Sequence, residues 1–587
     1  MNAGLFEKRI LNPLMPTRPL FIHFIFCCAI VAAGASLLAQ TPSPCPSASQ
    51  VIPIPVDSSA LKNWQNDRFG MFIHWGPVSL TGKEISWSRG SKELPVEKYD
   101  ALYKEFNPQK FNADEWVAAA KAAGMKYIVL TCKHHDGFCL WDTKQTEYSI
   151  MQTPFKRDVV KELSEACKKQ GIKFGAYYST CDWHHPDFPV TSPGGKTVRD
   201  HSDLERYTVY LKAQISELLK NYGPLVTLWF DVPQKFDANR GQRVINLARS
   251  IQPDLLIDDR TGAKGDYSTP EQRVGGFNMD RPWESCMTIS AHNHWAWGGE
   301  GDGVKGLADC IFMLVNCAGG DGNMLLNIGP RPDGAINPDQ VARLKEIGGW
   351  LSEYGETIYG TRGGPYYPTK RYAATRLGNV IYLHIFKWNG ETITLPPLGA
   401  QIVESSLLTG GKVEVENKPE GLKLNIASAD QKIPDTIIKL TMKQDAMKIA
   451  PIKPIIKLTA IASSSEKGHG PELAIDEDHG TRWSAAAGIK SGWLEIDFTK
   501  PTAISSVAIF EGGGDRVKKF ALEYQQGTEW KTILTGGSLG GTIEHFQKDF
   551  APVTVSKIRL NIQEASDTPS IAEISFDERI VLTSKNQ

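Results

Sequence analysis

The chain has 587 residues, with 65 Lys and Arg against 66 Asp and Glu, a formal net charge of -1. That length exceeds one ordinary core and leaves room for a large barrel plus smaller domains, while the balanced charge gives no overall field to draw in nucleic acid or an anionic membrane. Fifteen Trp, seventeen Tyr and fifty-three Gly suit tight turns and aromatic platforms for the apolar face of a sugar, although a large β-rich protein shares that composition.

From the N-terminus, Lys8, Arg9 and Arg18 precede an apolar run from Leu20 to Leu38 that ends in small residues around Ala35, Ser36 and Ala39. This pattern predicts a signal peptide over 1–39 and export to the periplasm or the medium; a retained N-terminal anchor is the alternative, because the run is close to the shortest spanning length. No later segment is long and apolar enough to span. Cys132, Cys139, Cys167, Cys181, Cys286, Cys310 and Cys317 lack the spacing of a zinc site or a disulfide framework and read as small buried residues.

Residues 40–60, rich in Pro and Ser, read as a spacer. Over 61–364, strand-like runs then alternate with helical periods. The expected strands are Phe69 to Trp75, Lys126 to Thr131, Lys173 to Ser179, Leu225 to Asp231, Leu255 to Asp259, Ser285 to Ile289 and Asn323 to Ile328. The helices between them include Ala113 to Ala123, Asp158 to Lys169, Asp203 to Lys220, Arg240 to Ile251 and Pro338 to Tyr354. So many βα repeats imply an α/β chain closing a (β/α)8-like barrel; the doubly wound alternative lacks a G-x-G-x-x-G after its first strand. Beyond residue 364 the helical period stops. Residues 365–443 read as a small β-sandwich domain, 444–454 as a linker, and 455–587 as a terminal β-sandwich, or jelly-roll, module.

In a parallel barrel the chemistry lies at the C-terminal ends of the strands and in the loops after them. There the sequence places His74-Trp75-Gly76, the run Lys133 to Phe138, Tyr177-Tyr178-Ser179, Trp229-Phe230-Asp231, Asp258-Asp259-Arg260 and Trp283-Glu284. Histidines, aromatics and separated carboxylates at one mouth suit glycosidic cleavage: one carboxylate attacks the anomeric carbon, a second protonates the leaving oxygen, and side chains hold the hydroxyls. Metal-assisted hydrolysis is the competitor. Against it, His134 and His135 point to opposite sides if the strand runs through them, although His292-x-His294 has ligand-like spacing. No G-x-S-x-G elbow is present.

Phe72 to Gly76, Lys133 to Phe138, Trp229 to Asp231, Asp259-Arg260, Trp283 to Cys286 and Asn327 to Pro330 together resemble glycoside hydrolase family 29, the α-L-fucosidases, over about Leu61 to Met442. The resemblance implies an exo-acting retaining fucosidase acting on fucosylated glycans, with no cofactor and no metal in the catalytic site. It implies Asp231 as nucleophile and Glu284 as the best-matching acid/base, with Asp258, Asp259 and Glu271 as weaker rivals. Sugar contacts are implied for His74, His134, His135, Tyr178 and Trp229, with Arg260, Trp87 and Trp297 as further pocket residues. The stretch Glu84 to Arg89 is expected on the leaving-group side. The terminal segment, through Pro471 to Asp476, Thr481 to Trp483 and Gly492 to Phe498, is similar to discoidin-type (coagulation factor 5/8 type C, family 32 carbohydrate-binding) modules. Carboxylates at Asp476 and Asp478 would suit a structural Ca²⁺ there. A catalytically silent fucose- or galactose-glycan binding protein is the other reading, and no pattern in the chain speaks to oligomeric state.

Overall fold

The computed structural model describes residues 52–192, 198–274, 276–388, 390–453, 458–476, 481–540 and 546–576. The expected signal peptide, most of the spacer and Asp478 lie outside the described residues.

Helix α1 (Ser58–Asp67) leads into β1 (Phe69–Ile73), followed by the short α2 (Val96–Ala101) and α3 (Ala113–Ala122). Strand and helix then alternate as β2 (Tyr127–Lys133), α4 (Val159–Gln170), β3 (Lys173–Ser179), α5 (Leu204–Tyr222), β4 (Thr227–Asp231), α6 (Ala238–Ile251) and β5 (Leu256–Ile257). Next come β6 (Glu284–Thr288), α7 (Leu307–Gly319), β7 (Asn323–Ile328) and α8 (Pro338–Tyr354). Side chains of Asn112, Asp158, Asp203, Asp237 and Asn337 cap α3, α4, α5, α6 and α8; each such cap satisfies an orphan amide and is worth about 1 kcal/mol.

The seven strands pair in parallel in the order β5-β4-β3-β2-β1-β7-β6. The gap between β5 and β6 is filled by residues 267–272, a stretch with no apolar run to announce it. Parallel bridges link Asp258 to Tyr267, Ser268 to Trp283 and Glu271 to Cys286. The amides of Ser268, Cys286 and Gln272 donate to the carbonyls of Pro282, Pro270 and Cys286. The barrel is therefore closed by eight extended segments, two of which lack a helix behind them. Alternation divides its core in two. Phe72, Tyr127, Val129, Tyr177, Trp229, Leu256, Tyr267, Cys286 and Leu325 fill the interior over Trp64, whereas Met71, Ile73, Ile128, Leu130, Tyr178, Phe230 and Ile257 pack outward with the helices.

After the barrel, β8 (Arg362–Gly363), β9 (Tyr372–Leu377), β10 (Val380–Ile385), β11 (Thr392–Leu395), β12 (Ile402–Leu407), β13 (Glu414–Lys418), β14 (Gly421–Asn425) and β15 (Thr436–Met442) make two antiparallel sheets, ordered β12-β15-β10-β9-β8 and β11-β14-β13. Strands β16 (Leu458–Ala462), β17 (Trp483–Ser484), β18 (Gly492–Glu511), β19 (Val517–Gln526), β20 (Glu529–Gly536), β21 (Phe546–Ala565) and β22 (Ser570–Phe576) build the terminal module around its own core, including Trp483, Leu494, Ile496 and Phe520. Near its expected ion position, Asp476 accepts a hydrogen bond from the Thr481 hydroxyl at 2.7 Å. All seven cysteines named above are free and buried, and no helix among the described residues is long and apolar enough to cross a membrane.

Candidate active site

Asp231 is the last residue of β4, and inward-facing parity puts its carboxylate at the barrel mouth. Three neighbouring groups address it. The Tyr177 hydroxyl donates to Oδ2 at 2.8 Å, Arg260 Nη1 donates to Oδ1 at 2.9 Å, and His135 Nε2 stands 3.7 Å from Oδ2. Burial pushes this carboxyl up, but the Arg260 guanidinium, His135 and the hydrogen bonds from Arg260 and Tyr177 outweigh it and hold the group below the usual range. It is a carboxylate at neutral pH.

Arg260 is held from every side. Its Nε donates to the Thr269 hydroxyl at 2.8 Å, its Nη2 to the Thr269 carbonyl at 2.7 Å, and its guanidinium lies 4.9 Å above the Trp229 ring. The same Nη1 that meets Asp231 also donates to Glu271 Oε2 at 3.0 Å. Glu271 comes from the closing segment, and its side chain is 40% exposed, so Asp231 and Glu271 share one guanidinium nitrogen.

The histidines form one wall. His74 Nδ1 meets Asn327 Oδ1 at 2.7 Å, His134 Nδ1 meets Ser86 Oγ at 2.6 Å, and His135 Nδ1 meets Ser179 Oγ at 2.7 Å. Because the Ser179 hydroxyl donates to the Cys181 carbonyl at 2.7 Å, it accepts from His135 Nδ1–H, a tautomer assigned from the network. That leaves a buried, unpartnered lone pair on His135 Nε2 facing the Asp231 carboxylate. Burial keeps His74 down at about 3, His135 at about 4 and His134 well below the usual range, so all three are neutral. Two acceptors in such proximity call for a donor between them, such as a sugar hydroxyl.

The structure also moves several expectations. His134 and His135 do not point apart: β2 ends at Lys133, and in the turn beyond it their rings lie 3.9 Å apart on the same side. With Asp231 they offer ligand atoms within 4.8 Å of one another, the one described cluster able to hold a metal ion. The Arg260 guanidinium on the same carboxylate opposes a cation there. Tyr178 faces outward, hydrogen-bonding Gln214 at 2.7 Å beneath the Lys133 ammonium; strand alternation gives the pocket to Tyr177, which stacks on Trp229 at 5.6 Å and on His134 at 5.3 Å.

Glu284 is not at the mouth. It is the first residue of β6, in register with Asn323, the first of β7, and fully buried at the N-terminal end of the barrel. There it accepts from the Tyr127 hydroxyl and, at 3.2 Å, from Trp229 Nε1. Asp258 is buried and accepts from the Phe230 amide, and Asp259 pairs with Arg281. Trp87 is 49% exposed, edge-on to His135 and Trp183. Among the described residues no ring contact joins Trp297 to this cluster; Trp295, 5.0 Å from the His74 ring, takes that place. Glu84 anchors the loop of Trp295 through the amides of Trp295 and Ala296. Trp295 is absent from the sequence reading, and Tyr177, Ser86 and Asn327 stand there only inside longer runs with no role of their own; strand parity, counted back from Asp231 and Trp229, is the signal that favours Tyr177.

The Alpha-L-fucosidase family profile matches residues 48–356 and the F5/8 type C domain profile residues 459–575. The plasma alpha-L-fucosidase of Homo sapiens is 30% identical over 415 residues, covering 64% of this chain and 85% of that protein. Among solved structures, alpha-L-fucosidase isoenzyme 1 from Paenibacillus thiaminolyticus is 35% identical with a TM-score of 0.60, over 66% of this chain and 99% of that one. An alpha-L-fucosidase from Bacteroides thetaiotaomicron, trapped as a covalent intermediate with 2-fluoro-fucosyl fluoride, is 26% identical with a TM-score of 0.60, over 67% and 98%. With a family match over more than half its length and a barrel whose mouth gathers Asp231, Arg260, Tyr177 and three neutral histidines, the chain belongs to the α-L-fucosidases, glycoside hydrolases of family 29, and carries an F5/8 type C domain behind its catalytic part.

Proposed function

We propose that this α-L-fucosidase is an exported, exo-acting, retaining enzyme that removes terminal α-L-fucose by double displacement, with Asp231 as nucleophile and Glu271, in place of Glu284, as acid/base. The observation that carries the reading is the shared Arg260 nitrogen. With contacts of 2.9 and 3.0 Å to it, Asp231 Oδ1 and Glu271 Oε2 lie no more than about 6 Å apart, close to the roughly 5–5.5 Å of retaining pairs and short of the wider gap that inversion needs for its water. Asp231, kept ionised, attacks the anomeric carbon as Glu271 protonates the departing glycosidic oxygen. Glu271 then takes a proton from water, which attacks the same carbon and frees Asp231. His135 Nε2 accepts from a sugar hydroxyl, and Trp87 stands at the rim toward the rest of the glycan.

Two measurements test it. Proton NMR of the first product formed should show α-L-fucose, and initial β-fucose would refute retention. Glu271→Ala should lose far more activity on natural glycans than on aryl fucosides with good leaving groups, and azide should restore the latter; uniform loss without rescue would remove Glu271 from the acid role.

A further inference from the structure

Beneath the mouth lies a buried carboxyl that the reaction does not use. Glu284 sits at the far end of the barrel interior, 0% exposed, and receives one hydrogen bond on each carboxyl oxygen, from the Tyr127 hydroxyl on β2 and from the Trp229 indole on β4. The Trp229 ring connects two levels. It stacks on Tyr177, centroids 5.6 Å apart and 19° from parallel, and carries the Arg260 guanidinium 4.9 Å above it. Tyr177 and Arg260 are the two side chains that hydrogen-bond Asp231. An indole N–H in a dry interior needs an acceptor, and an acceptor at one fixed point also fixes the ring's rotation about its bond to the backbone.

The geometry points to Glu284 as a positioning residue that pins the Trp229 ring and through it the Tyr177 hydroxyl and Arg260 guanidinium that aim the Asp231 carboxylate. This rests on Asp231 being the nucleophile. The carboxyl does not touch the sugar; it holds the floor on which both partners of the nucleophile rest. Its surroundings fit such a role: burial pushes the Glu284 carboxyl up to about 7, against the lowering pull of its two hydrogen bonds, so near neutrality it can be retained without a full buried charge.

The test is a double-mutant cycle in the full chain, with Glu284→Leu, Trp229→Phe and the pair, and Glu284→Gln as the variant that keeps a carbonyl acceptor. Glu284→Leu is expected to lower kcat on an aryl fucoside by roughly tenfold or more with KM little changed, equally for good and poor leaving groups and without azide rescue. Glu284→Gln should restore most of that loss. Phe at 229 keeps the stacking ring but has no N–H to pin, so adding Glu284→Leu to Trp229→Phe should cost little further. Additive losses, or wild-type kcat in a folded Glu284→Leu, overturn the proposal; leaving-group dependence with azide rescue overturns it in favour of an acid role. If Glu284→Leu does not fold, Trp229→Phe alone removes the same hydrogen bond from its other end: a roughly tenfold loss of kcat with KM little changed is expected there, and wild-type kcat overturns the proposal. Failure of the nucleophile assignment is read separately: Asp231→Gly would then still be labelled by 2-fluoro-fucosyl fluoride.

Discussion

At the scale of single residues, two adjacent tyrosines on β3 separate catalysis from stability. Tyr177→Phe removes the hydroxyl that donates to Asp231; since hydrogen bonds to charged groups are worth about 1.5–3 kcal/mol, kcat should fall roughly tenfold to a hundredfold. Tyr178→Phe strips a donor from buried Gln214 instead, costing about 1–3 kcal/mol of stability with kcat nearly unchanged. Kinetics and thermal melts of the two variants check both. The sequence named the wrong member of this pair although the parity that decides it was present: Trp229 and Asp231 face inward, and Tyr177 is paired with Trp229 in the β3–β4 register. Glu284 gives a second residue-level expectation, in pH. Its carboxyl is raised from 4.5 to about 7, so between those values the folded state keeps a proton that the unfolded chain gives up. Stability therefore falls as pH rises through that window, by about 3 kcal/mol in total if the full shift is realised. Glu284→Gln cannot ionise, so denaturant unfolding at pH 5 and pH 8 should show a smaller decline than in the unmodified protein; an identical decline would contradict the raised value.

At the scale of elements, the closing segment at 267–272 explains which parts of the barrel could be read in advance. Strands β1, β2 and β7 are buried on both faces, as a parallel sheet inside helices requires, and so appear as continuous apolar runs. Tyr267-Ser268-Thr269-Pro270-Glu271-Gln272 has neither an apolar run nor a helix behind it, and Pro270 argues against a strand. Its position avoids that objection, because the ladder uses the Pro270 carbonyl as acceptor for the Cys286 amide and asks no N–H of it. With the strand unread, Glu271 had no strand end to mark it and stood only as a weaker rival to Glu284 beside Trp283. The approach of this segment to β5 depends on Gly265, where a Cβ would fall 1.9 Å from the Asp258 carbonyl oxygen. Gly265→Ala should push the loop bearing Arg260 and Glu271 away from Asp231, lowering kcat roughly tenfold or more through misplacement alone. An alanine variant with unaltered kcat would show that the segment tolerates displacement.

At the scale of the whole molecule, the question is where the catalytic part ends. Residues 444–454 look like a linker in the sequence, and a cut near Met442 spares every pocket residue. The structure ties that stretch down: Arg376, 1% exposed on β9, donates to the carbonyls of Ala446 and Ile449 at 2.9 and 2.7 Å, and the Ile452 amide donates to the Pro365 carbonyl at 2.7 Å. A chain ending at Met442 would leave a buried guanidinium short of acceptors, a loss worth about 3 kcal/mol or more, and should melt several degrees lower or aggregate. One ending at Lys453 keeps those bonds and gives up the terminal module, whose described contacts with the rest include Lys370 Nζ to Ser506 Oγ at 2.8 Å. If the module serves to hold the enzyme on a glycan surface, it raises local substrate concentration without altering the chemical step. The Lys453-terminated protein should then match the full chain on a free aryl fucoside within about twofold and fall well behind it on mucin-bound fucose. Equal losses on both substrates, with a lowered melting temperature, would make the module a structural part of the enzyme instead.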